Sequence, residues 1–178
     1  MADRERRILP RHAEGVLLRR FAPSDLREFQ AYRSDAELAR YQGWSAQPDD
    51  EAAEFLARMA GARLFQPGQW TQVAIVERAT QALIGDIGIF IRDDALEAEI
   101  GFTLRREYQG RGLAVAAVGA AIDLVFEETH AARVLGVTDA RNLPSIRLLQ
   151  RVGMHMTESR ETVFRGEPIV EHVYAMPR

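Results

Sequence analysis

EYQGRGLAVAAVGAAI, residues 107–122, sets Gly110 and Gly112 directly ahead of a long Ala-rich apolar run. Glycine inside a helix costs about 1 kcal/mol relative to alanine, so two of them one residue apart mark a loop before the helix. The spacing predicts that helix over residues 113–128. Upstream, LEAEIGFTL (96–104) alternates strongly and predicts a strand. The first turn of a helix carries unpaired N–H groups and the positive end of the dipole. It is therefore a ready anion site, with pyrophosphate a common occupant. Glycine lets the backbone approach phosphates without a Cβ, and Arg111 can add charge. Neither GxxxxGK[ST] nor GxGxxG is present, so this is neither a P-loop nor a dinucleotide fingerprint. A plain glycine-bearing turn before a well-packed helix is the competing reading, and the loop alone leaves both open.

Working outward, GVLLRRFA (15–22) reads as a strand. PSDLREFQAYRSD (23–35) reads as a helix with Ser24 or Asp25 at its N-cap. YQGWSAQP (41–48) is a loop, and DDEAAEFLARMAGARLF (49–65) a second amphipathic helix with acids at its start. WTQVAIVER (70–78) and ALIGDIGIFI (82–91) form a predicted hairpin. ARVLGVTDA (132–140) is a strand, and NLPSIRLLQRVG (142–153) a helix closed by Gly153. The last residues read as a strand pair around RGEP (165–168). The order is not a regular βαβ alternation and predicts an α+β (mixed α/β) sheet in one domain over 1–178, with 1–14 a flexible segment.

The 178 residues suffice to bury a core, and the net charge of −3 argues against broad nucleic-acid binding. With no cysteine, disulfides, thiolate metal sites and a Cys nucleophile are excluded. His12, His130, His155 and His172 have no metal-ligand spacing, so no metal is expected. The charged N-terminus is not a signal peptide, and no stretch approaches the roughly 20 apolar residues of a membrane span, so a cytoplasmic protein without membrane partners is expected. Arg4, Arg6, Arg7 and Arg11 read as a solvated terminus rather than a phosphate patch.

Gln109–Gly–Arg–Gly112–Leu–Ala114 resembles the acyl-CoA pyrophosphate motif of the GNAT N-acetyltransferase superfamily, Gln/Arg-x-x-Gly-x-Gly/Ala. AEIGFTL (98–104), DARNLPSIRLLQRVGM (139–154), VLLRRFAPSDL and RYQGW are similar to blocks of its RimJ/RimL-like subgroup, across roughly residues 15 to 176. Gln150 stands where the subgroup usually has Glu. The resemblance implies a mostly antiparallel, twisted sheet of about seven strands with splayed central strands and flanking helices. It implies acetyl-CoA as acyl donor, held by Phe102, Thr103, Leu104, Gln109, Gly110, Arg111, Gly112, Leu113, Ala114, Asn142 and Ser145. The implied acceptor is a primary amine, on a small molecule or a protein N-terminus, and family members are often dimers. A non-catalytic acyl-CoA-binding module is the alternative, and it would not need a base.

Direct acetyl transfer to an amine needs a proton acceptor, a polarised thioester carbonyl and a stabilised thiolate. Glu99 is the candidate base, sharing one strand face with Glu97, Gly101 and Thr103. It competes with a structural or amine-binding carboxylate, while Glu97 reads as solvated at the strand's start. Asn142 suits an N-cap before Pro144, and the resemblance adds contact with the pantetheine arm. Ser145 is the implied proton donor or hydrogen-bond donor to the thiol. Tyr174 reads as core or as an acceptor-facing phenol. Trp44, in its loop, is the favoured aromatic for acceptor binding over Phe65 and Trp70, and Asp49, Asp50, Glu51 and Glu54 serve either the helix dipole or a cationic acceptor.

Overall fold

The computed structural model of the chain describes residues 8–178. Its elements are β1 (Arg11–Ala13), β2 (Val16–Arg19), α1 (Leu26–Arg33), α2 (Ala36–Ala39), α3 (Asp49–Gly61), β3 (Trp70–Glu77), β4 (Leu83–Ile91), β5 (Glu97–Leu104), α4 (Leu113–Glu128), β6 (Arg133–Asp139), α5 (Leu143–Arg151), β7 (His155–Phe164) and β8 (Glu167–Pro177). The strands make one sheet in the order β1-β2-β3-β4-β5-β6-β8-β7.

Seven of these strands are the predicted ones. The eighth, β1, falls in the segment expected to be flexible and pairs antiparallel with β2. Arg11, expected to be solvated, forks onto Glu127 at 2.9 and 2.7 Å. Arg4, Arg6 and Arg7 lie outside the described residues. The helix predicted to run from Pro23 to Asp35 begins as a 3-10 turn and breaks after Arg33, because Asp35 caps α2 through Glu37 and Leu38 N–H. Asp25 gives no side-chain cap; its carboxylate takes Ala22 N–H and the Arg19 fork, all at 2.7 Å. The helix predicted to reach Phe65 stops at Gly61, as Ala62 turns extended and Phe65 takes φ +59°. Gly153 closes α5 as expected, with φ +96° and bonds from Gly153 N–H to Gln150 O and Met154 N–H to Leu149 O. Arg165 and Gly166, both at positive φ, make the two-residue turn between β7 and β8.

The sheet's two faces are covered differently. α4 and α5 bury one face with Ile100, Val134, Leu149 and Tyr174. α1 and α3 bury the other over β3 and β4, with Phe29, Tyr32, Leu56 and Ala74. A small third cluster, Leu135, Val173 and Ala175, continues that second face toward β8.

Among the paired strands only β5 and β6 run parallel, since α4 supplies the crossover such a pair needs. They pair over Glu97–Ile100 against Arg133–Gly136 and then part. α5 lies close on β6 there: a Cβ at Gly136 would meet Leu149 Cδ2 at 2.5 Å.

Candidate active site

Where β5 and β6 part, a cavity of about 650 Å³ opens between β5, the loop after it, β6 and α5. Arg105 N–H donates to Ile84 O on β4, and Ala132 N–H to Leu96 O. Backbone groups alternate along a strand, so Phe102 and Leu104 turn theirs into the gap. Both carbonyls already accept side-chain bonds, from Gln42 Nε2 at 3.1 Å and Gln109 Nε2 at 2.9 Å.

The glycine loop closes one end of this cavity. Gly110 and Gly112 have φ +74° and +80°, and Gly112 is the N-cap of α4. A Cβ at either would meet nothing within 4 Å, so the glycines serve the left-handed backbone and leave open space above it. The first backbone bond into α4 is Ala116 N–H to Gly112 O; among the described residues no backbone carbonyl accepts from the N–H groups of 110–115. Gly110, Gly112, Ala114 and Val115 line the cavity. Two expected residues turn their side chains elsewhere. Leu113 is buried in the core, and the Arg111 guanidinium is held by Glu77 on β3. Arg111 therefore supplies its backbone to the loop rather than the free charge its sequence position suggested.

Asn142 and Ser145 line the opposite wall. Asn142 Oδ1 accepts Ser145 N–H at 3.3 Å, so it is a helix cap that also faces the cavity. Arg106, Arg141, Arg147 and Arg151 line it too. Arg141 is paired with Asp139, and Arg106 with Asp35 and Glu37. Sequence reading missed these arginines, although Arg147 and Arg151 sit four apart on α5, and so on one helix face.

Glu99 stands on the α1–α3 face, opposite Phe90 on one side and Leu135 on the other. Burial pushes its carboxyl above the ordinary range; Arg92 and Arg160 oppose the shift and Glu171 adds to it. Of the acids on β4, β5 and β6, Asp86 pairs with Arg33, Glu97 with Arg92 and Arg133, and Asp139 with Arg141. Glu99 alone has no ion pair or hydrogen bond among the described residues. Glu97 is thus tied into ion pairs rather than merely solvated.

Trp44 is half-buried beside this face. Arg33 Cζ lies 4.3 Å from its ring centroid, and Arg165 from the β7–β8 turn donates to Trp44 O at 2.6 Å. Beneath it, Arg33 and Tyr32 O–H donate to Asp86 at 2.9 and 2.5 Å, all three buried. Tyr174 is not brought to this side. It pairs with Gly136 on the opposite face and is only 2% exposed, in the core. Phe65 packs against the same core. Among the described residues no group of three or more His, Asp or Glu is placed to hold a metal, and no helix is long and apolar enough to cross a membrane.

The acetyltransferase (GNAT) domain profile matches residues 16–155. The chain belongs to the GNAT acetyltransferase family. It is 30% identical over 139 residues to "Uncharacterized N-acetyltransferase p20" of Bacillus licheniformis, 78% of each chain. A GNAT-family acetyltransferase from Bacillus anthracis superposes with TM-score 0.82 at 22% identity, over 93% of this chain and 96% of that one. RimL, a ribosomal L7/L12 α-N-protein acetyltransferase solved with coenzyme A, superposes with TM-score 0.79 at 16% identity, over 96% and 97%. At that identity the RimL likeness is one of fold.

This GNAT chain is an acetyl-CoA-dependent N-acetyltransferase, passing acetyl to an amine. Its own geometry suits the donor. The free amides of 110–115 and the open space over Gly110 and Gly112 suit a pyrophosphate, and the β5 backbone in the gap suits the amides of an extended pantetheine arm.

Proposed function

We propose that the β5–β6 gap holds the thioester of acetyl-CoA, that the amides of Gly110–Ala114 hold its pyrophosphate, the expected Gln109 N–H being already bonded to Arg106 O, and that Glu99 receives the proton of the acceptor amine. The amine nitrogen forms a bond to the thioester carbonyl carbon, the carbon–sulfur bond breaks, and the thiolate leaves. Ser145, on the wall by Asn142, is the hydrogen-bond donor assigned to that sulfur. Glu99 takes the amine proton directly or through water and returns it to solvent. The observation that carries this reading is the half-buried Glu99 carboxylate, without a partner among the described residues, one residue before the cavity-lining Ile100 and two before Gly101. A thiol-release assay with acetyl-CoA against a panel of primary amines, protein N-terminal peptides included, tests it. Release with at least one amine, abolished without amine, is expected; none from any amine contradicts it.

Gly112→Val should weaken acetyl-CoA binding by about 2 kcal/mol or more, through lost amide contacts and a branched Cβ in the phosphate's space. At φ +80° valine is also strained, so calorimetric titration must accompany a melting curve. Unchanged affinity in the folded variant would remove the pyrophosphate from this loop.

Asn142→Ala should cost about 1 kcal/mol of stability through its lost cap. It should also shrink the rise in melting temperature that acetyl-CoA produces. A lower apo midpoint with an intact ligand-induced rise would leave Asn142 as a cap alone.

A further inference from the structure

We infer that the acceptor is a primary amine carrying a planar apolar group, an arylalkylamine, and that Trp70 selects it. The inference rests on the reading of Glu99 above and names the substrate class of that site. Trp70 lies opposite Phe90 and Phe90 opposite Glu99, so the three side chains form one row across β3, β4 and β5 on the α1–α3 face. Trp70 is 45% exposed, the one aromatic among the exposed large hydrophobic side chains of the described residues. Its ring is 5.4 Å from that of Phe90, tilted by 33°.

The indole leans toward the cavity side of that row. A Cβ at Gly88 would lie 3.2 Å from its Cε3 and Cζ3 atoms. Gly88 is opposite Gly101, about 5 Å away on the neighbouring strand. Above Gly101 a Cβ would meet nothing within 4 Å, and Gly101 also lines the cavity where β5 and β6 part. The indole thus covers Gly88, and the bare backbone of Gly101 beside it runs on to the gap, within stacking reach of the ring and two residues from Glu99. A flat group over Gly101 fills this space, with its cationic amine at the carboxylate. The nearby cations Arg33, Arg92 and Arg160 are each held by an acid, Asp86, Glu97 and Glu171. That leaves a substrate carboxylate without a dedicated partner and favours an amine over an amino acid.

The test uses the full chain with acetyl-CoA and two probes, 2-phenylethylamine and n-propylamine. The aromatic amine should have the higher kcat/KM by about tenfold or more. Trp70→Ala should remove about tenfold of that advantage through KM, with acetyl-CoA affinity and n-propylamine turnover unchanged, and Trp70→Phe should restore most of it. Equal kcat/KM for the two amines, or equal losses for both in Trp70→Ala, would overturn the inference. Calorimetric binding of 2-phenylethylamine to the CoA-saturated protein separates the two readings. Binding that Trp70→Ala abolishes, with no thiol release from any amine, would uphold the shelf and refute the role of Glu99. No binding would overturn the shelf, whatever smaller amines do.

Discussion

Glu99→Gln is expected to fold, to bind acetyl-CoA with unchanged affinity, and to lose about 10²- to 10⁴-fold in turnover at neutral pH, the usual contribution of a positioned general base. The side chains are nearly isosteric, and the pyrophosphate loop lies beyond the end of β5. The loss should shrink at high pH, where more of the acceptor amine is already neutral. Near-normal turnover would make Glu99 structural, and a raised KM for amine with unchanged kcat would make it an amine-binding anion. The same variant has a stability signature. Burial raises the Glu99 carboxyl in the folded chain, so the fold favours its protonated form. That contribution is fully present below the ordinary carboxylate range and is lost as pH rises through the folded value. Glutamine never ionises, so the variant should melt higher than the wild type at about pH 8 and match it at about pH 3.

Asp86→Ala is expected to destabilise the chain by about 3–5 kcal/mol, because it leaves the buried Arg33 charge unpaired. Arg33 is 5% exposed and Asp86 3%, and the Tyr32 hydroxyl would lose its acceptor in the same change. Burial, then the nearby Asp86 charge, holds the Tyr32 phenol far above its ordinary range, so it stays a donor. Thermal melting should show a midpoint lower by about 10 °C, at roughly 2–4 °C per kcal/mol for a chain of this size. Replacing both charges, as in Arg33→Met with Asp86→Leu, should recover much of the loss. A midpoint within about 2 °C of wild type for Asp86→Ala would show that Arg33 finds water or another partner.

Much of the fold was legible because its signals are local. The two glycines before an Ala-rich run located the loop and α4, and the alternation of 96–104 placed Glu99 and Gly101 on one face, as observed. RGEP marked the β7–β8 turn, where Arg165 and Gly166 take positive φ. What was missed depends on distant partners. β1 is three residues, RHA, with no apolar alternation, and it forms because β2 offers an edge. Arg33 and Asp86 are 53 residues apart, and only the acid inside LIGDIGIFI hinted at a buried pair. Period-two alternation shows that Tyr174 and Ala175 face opposite ways but not which way the acceptor lies, so the sequence leaves Tyr174 open between core and acceptor, and the structure puts it in the core. Arg111 reads as a phosphate ligand until Glu77, 34 residues away, is seen to hold it.

The central claim is that acetyl-CoA lies in the β5–β6 gap with its pyrophosphate on the amides before α4. Backbone amide NMR shifts followed through a titration with acetyl-CoA test it most directly. The account predicts saturable shifts concentrated at Gly110, Gly112, Leu113 and Ala114, with Phe102 and Leu104 following the same curve. Saturable binding that leaves those amides unmoved, with its shifts elsewhere on the sheet, would contradict it.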